Sequence, residues 1–180
     1  MRFLASCLLA LSISPALFAE EATEDWQTRF QSTYIWQKSS GFPAAYSGQN
    51  SLSDQRESGY TFTATAFLGA RPWRGGEVYV NVEVGQGAPL SGLTGLGGFS
   101  NGEATKVSGR QLKGYLQRLF LRQTWNLGGE SEYVASDFNR MAGFVDKNRF
   151  VLTVGNFATL DVFDGNAYAK DPRTQFLNWS

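Results

Sequence analysis

Five segments of this chain alternate between apolar and polar side chains with period two, and in all five the charges fall on the side opposite the apolar row. Successive side chains of a strand point to opposite faces, so the pattern predicts two-faced strands rather than helices. Residues 26–37 set Trp26, Phe30, Tyr34 and Trp36 against Gln27, Arg29, Gln31 and Thr33. Residues 60–71 set Tyr60, Phe62, Ala64, Ala66, Leu68 and Ala70 against three threonines, and residues 77–84 set four valines against Glu77, Tyr79, Asn81 and Glu83. Residues 115–125 place Tyr115, Leu119, Leu121 and Trp125 opposite Arg118, Phe120, Arg122 and Thr124, and residues 149–157 place Phe150, Leu152 and Val154 opposite Thr153 and Gly155. The strand charges Arg29, Arg71, Glu77, Glu83, Arg118, Arg122 and Arg149 thus share one face.

Two environments suit such strands. In a soluble sandwich the charged face meets water and the apolar face a second sheet; in a porin the apolar face meets lipid and the charged face lines a wet lumen. Strand length and the placing of the aromatics favour the porin. Trp26 and Trp36 lie ten residues apart on one face, and Tyr115 and Trp125 repeat the spacing. Ten residues of strand cover about 33 Å, or roughly 25 Å along the membrane normal at a tilt near 40°, which is the height of the apolar band on a membrane barrel. Aromatic rings gather at the two rims of such a band, so these four residues are expected to form a girdle.

The first 19 residues have the form of a secretory signal: Arg2, an apolar run over residues 3–18, and a cut expected after Ala19. Cys7 has too few residues before it for a lipoprotein signal and is assigned to the leader. The mature chain then has no cysteine, and the sequence has no histidine, which removes disulfides, Cys/His zinc sites and imidazole-activated nucleophiles. No metal, cofactor or enzymatic activity is expected. Net charge is zero without a basic patch, which argues against nucleic acid.

The connections carry further expectations. Residues 72–76 (PWRGG) form a tight turn, whereas residues 38–59 and 85–114 are long, polar loops, the unequal ends of an outer-membrane barrel. Val134, Phe138 and Met141 fall at helical spacing between Gly129 and Gly143, which predicts a short amphipathic periplasmic helix over residues 130–142. Asp161 and Asp164 could suggest an acid/base pair, but no water-excluding pocket around them can be derived, and a glycosidase is not expected.

Four stretches go beyond pattern: TYIWQK at 33–38, PLSGLTGLGGF at 89–99, RLFLRQTW at 118–125 and DPRTQFLNW at 171–179. From about Trp26 onward the chain resembles the carbohydrate-selective porin family of the OprB type. The resemblance implies an all-β protein, a transmembrane antiparallel barrel of sixteen strands in the outer membrane, passing glucose-type sugars by passive diffusion, with homotrimers in the full-length form. Members run past 400 residues. About five N-terminal strands are legible here, so residues 20–180 are expected to be the N-terminal part of the barrel domain in a fragment or truncated reading frame.

On that reading Arg29, Glu77, Asn81, Glu83, Arg118 and Arg122 line the pore, because a guanidinium fork donates to neighbouring hydroxyls while carboxylates accept from others. These charges could equally be lumenal salt bridges that hold the wall. Asp161, Asp164, Asp171 and Arg173 fall in an outer loop that, folded inward, would set pore width and charge. The alternative is a secreted β-sandwich lectin whose Trp73, Tyr79 or Phe99 stacks on sugar rings.

Overall fold

The computed structural model describes residues 22–94, 97, 101–107 and 109–163. The leader with Cys7, the loop residue Phe99, and Asp164, Asp171 and Arg173 lie outside the described residues. The expected strands form one antiparallel sheet in the order β1 (Trp26–Ser39), β2 (Glu57–Trp73), β3 (Gly76–Ala88), β4 (Lys113–Asn126) and β7 (Arg149–Asn156). Each strand pairs with the next long strand in sequence, as in an up-and-down meander. The β2–β3 reversal is tight because Gly75 takes a left-handed φ of 74°, and a Cβ there would strike the Thr124 carbonyl oxygen.

Between β4 and β7 the structure corrects the expected helix. Residues 130–142 are not helical: β5 (Ser131–Val134) pairs with β6 (Gly143–Asp146) as a separate two-stranded ribbon. The cause is local. Asn139 has a φ of 56°, a left-handed conformation that ends a right-handed helix, and Asp137 and Arg140 close a turn through paired backbone hydrogen bonds of 2.8 and 3.1 Å. Tyr133 packs on Phe144 across the ribbon at 5.3 Å between ring centroids, which rewards strand pairing. The helical spacing of Val134, Phe138 and Met141 instead reflects a turn whose apolar residues descend onto the main sheet.

The sheet's two faces differ. On the outer face Trp26 is 71 % exposed and Trp36 60 %, with Phe30, Leu68, Leu119 and Val154 exposed between them. The inner face carries the core, in which Tyr79 stacks on Phe120 at 5.0 Å, Phe157 meets Phe120 edge-on at 6.2 Å, and Met141 packs from the turn. The polar side of the sheet is therefore the buried one, the reverse of a soluble sheet resting on an apolar core. Among the described residues no helix is long and apolar enough to cross a membrane, which says nothing of strands.

Candidate functional site: the inner face

Pairing register assembles the inner face from four strands. Arg29, Phe67, Asn81 and Arg118 form one ladder row across β1 to β4, and Arg71, Glu77 and Arg122 gather nearer the β2–β3 turn. Glu77 bridges Arg71 at 2.7 Å and Arg122 at 3.4 Å and accepts the Tyr79 hydroxyl at 3.0 Å. The Arg122 guanidinium lies over the rings of Tyr79 and Phe120, at 5.4 and 5.5 Å, so cation–π attraction adds to the ion pair. Arg118 makes a two-pronged contact with Asp161 at 2.6 and 2.7 Å. This joins the fourth wall strand to the short 3-10 turn Thr159–Asp161.

Asn81 and Glu83 occupy the expected face but are fully buried, and among the described residues the Asn81 side-chain amide has no hydrogen-bond partner. Glu83 accepts from Thr65 at 2.7 Å, pairs with Lys106 at 3.3 Å and accepts from the Tyr115 hydroxyl. That last contact corrects the expected girdle. Asn81 pairs with Arg118 and Val82 with Leu116, leaving Gln117 as an extra residue in β4. The bulge reverses the side-chain parity before it, so Tyr115 stands opposite Glu83 on the inner face and Leu116 takes its place outside. Trp26, Trp36 and Trp125 lie on the outer face, and Trp125 packs on Phe150 at 5.5 Å.

Two segments fold onto the inner face from opposite ends. From the long β3–β4 connection, Gly102–Lys106 forms a 3-10 turn capped by Asn101, whose side chain accepts from the Glu103 N–H at 3.0 Å and donates to Thr61 at 3.0 Å. Thr63 donates to Glu103. Close approach here requires glycine, since a Cβ on Gly87 would sit 2.6 Å from the Tyr60 carbonyl oxygen and 3.0 Å from Val107. The sequence shows this inward fold only as an Asn-Gly-Glu capping signal inside a loop.

From the other end comes the turn at 135–142. The Ser136 hydroxyl accepts from Arg29 at 2.7 Å and Gln27 at 2.9 Å, and donates to Glu24 at 2.7 Å. Glu24 also accepts the Ala142 N–H at 2.7 Å. Partial burial alone would raise the Glu24 carboxyl, but the Ala142 N–H, the Ser136 hydroxyl, the Arg29 charge and Gln27 together hold it below the ordinary carboxylate value. Glu24, Arg71 and Ser136 were not singled out as site residues in the sequence, because the contacts that join them, Ser136 to the Glu24 carboxylate and Arg71 to the Glu24 carbonyl, span more than forty positions.

A sheet that is apolar and aromatic outside, and charged and loop-covered inside, is the wall of a porin-class protein. The chain belongs to one such family: residues 50–180 match the carbohydrate-selective porin, OprB family. Comparison with curated proteins and with solved structures gave no match. Tyr79, one of the three rings offered for the lectin alternative, is fully buried.

Proposed function

We propose that this chain forms part of the wall of an outer-membrane channel through which glucose-type monosaccharides diffuse passively. The observation that carries the reading is the division of the sheet: among the described residues no charge lies outside between the rows of Trp26 and Trp36, whereas Arg29, Glu77, Arg118 and Arg122 all lie inside. Strand geometry supports it. Trp26 is ladder mate to Ala70, Val78 and Leu121 in turn, and Trp125 lies four residues beyond Leu121, three strands from β1. If both rings sit at one depth, about 13 Å along β4 over about 14 Å across the strands gives a tilt near 43°, within the range of barrels.

The sheet edges β1 and β7 would pair with further strands to close the barrel, since an unpaired backbone group in lipid costs several kcal/mol. Inside, Arg29, Arg118, Arg122 and Glu77 offer donors and acceptors to sugar hydroxyls, and the turns at 101–107 and 135–142 narrow the passage. Asp161, held by Arg118, brings the start of the following loop to the same wall. Liposome swelling with the full-length protein tests this: glucose should enter much faster than a tetrasaccharide. No swelling with any sugar would overturn the reading.

A further inference from the structure

Beneath the β5–β6 ribbon, against the inner face of β2 to β4 and β7, lies a cavity of about 230 Å³ lined by Arg71, Arg122, Arg140 and Arg149, with Glu77 as the one carboxylate of its lining. Met141 and Val134 supply apolar walls beside the guanidiniums. Glu77 is already shared between Arg71 and Arg122. Arg149 reaches out of the cavity to Glu132 at 2.7 Å, and Arg140 pairs with Asp137 at 3.3 Å where both side chains are about half exposed. With Glu132 and Asp137 counted beside Glu77, four guanidiniums meet three carboxylates, which leaves a net positive charge around the cavity.

Donor accounting agrees. Arg71 is committed, through Nη1 to the Glu24 carbonyl and through Nη2 to Glu77. Arg122 uses Nη1 alone, on Glu77 and the Asn139 carbonyl, and Arg149 uses Nη1 alone, on Glu132 and the Asp146 carbonyl. Arg140 uses Nε and Nη2. Among the described residues this leaves Nε of Arg71, Nε and Nη2 of Arg122 and Arg149, and Nη1 of Arg140 without partners. Neutral sugar hydroxyls can accept from such donors, but they do not balance the charge. An oxyanion does both, because carboxylate and phosphate oxygens match the guanidinium fork.

We infer that this cavity is a binding site for a small oxyanion, and, resting on the sugar-channel reading, that its ligand is the carboxylate of an acidic monosaccharide. Free inorganic phosphate shares the chemistry. The test is calorimetric titration of the full-length protein in detergent at low salt with glucuronate, glucose and inorganic phosphate. Glucuronate should bind about tenfold or more tightly than glucose. The Arg140→Gln/Arg149→Gln double variant, checked for native heat-modifiability, should bring the two within about twofold, and Arg140→Lys/Arg149→Lys should keep part of the preference.

Competition by phosphate would place recognition in the oxyanion itself, and its absence would assign the site to the sugar acid; either supports the site. Equal affinity for glucose and glucuronate in the native protein, or a preference unchanged in the double glutamine variant, would overturn it. Glucose-driven liposome swelling in the same preparations separates the two ideas. Swelling without glucuronate preference removes this site and leaves the channel.

Discussion

The Tyr115 hydroxyl donates to the Glu83 carboxylate across the β3–β4 pair, an inward contact made by a residue whose alternation points it outward. The bulge at Gln117 is the cause, and it joins the wall to the inward-folded turn, because the same carboxylate holds Lys106. Tyr115→Phe should destabilise the protein by only about 1 kcal/mol, since the ring is 40 % exposed and water can replace the bond. Deletion of Gln117 should send residue 115 to the outer face. Quenching of a tryptophan placed at 115 by brominated lipid measures this: weak quenching in the bulged chain, strong quenching after the deletion.

Glu24 should make the turn at 135–142 sensitive to acid. Its folded pKa lies below its unfolded value, so its stabilising contribution is fully present above the unfolded value near 4.5 and is lost as pH falls through the lower folded value. Hydrogen exchange at the Ala142 amide reads this directly, because that N–H donates to Glu24 at 2.7 Å. Protection should persist at pH 6 and decline on strong acidification. In Glu24→Ala it should be weak at both, and undiminished protection in that variant would sink the assignment.

Neighbouring positions on β1 should respond in opposite ways to the same change. Phe30 lies on the outer face midway between Trp26 and Trp36, and Gln31 lies on the inner face. An arginine at the lipid midplane costs about 2–4 kcal/mol, whereas one facing a wet lumen costs little. Phe30→Arg should therefore impair assembly in the outer membrane, measured by heat-modifiability on gels, and Gln31→Arg should leave it near normal. Equal effects would contradict the assignment of faces.

Met141 anchors the turn on Tyr79 and Phe120, and its backbone N–H donates to the Tyr79 hydroxyl at 3.0 Å. Met141→Ala should cost about 2–4 kcal/mol by leaving a cavity in this small core. Because Met141 also lines the arginine cavity, the loosened turn should raise protease cleavage within residues 135–142 more than cleavage in the main sheet.

The sequence by itself determined the five wall strands and the placing of nearly every strand charge on one face. Those properties follow from local alternation, which depends on no distant partner. Only the tertiary structure decided the side taken by Tyr115, since a bulge is defined by the strand it pairs with and leaves no mark in one strand's own pattern. It also decided residues 130–142, where helical spacing fits equally well a turn held by Gln27, Arg29 and Glu24, more than a hundred positions away. The gathering of Arg71, Arg122, Arg140 and Arg149 around one cavity is of the same kind: each charge is plain in the sequence, but their convergence is a matter of how the ribbon lies on the wall.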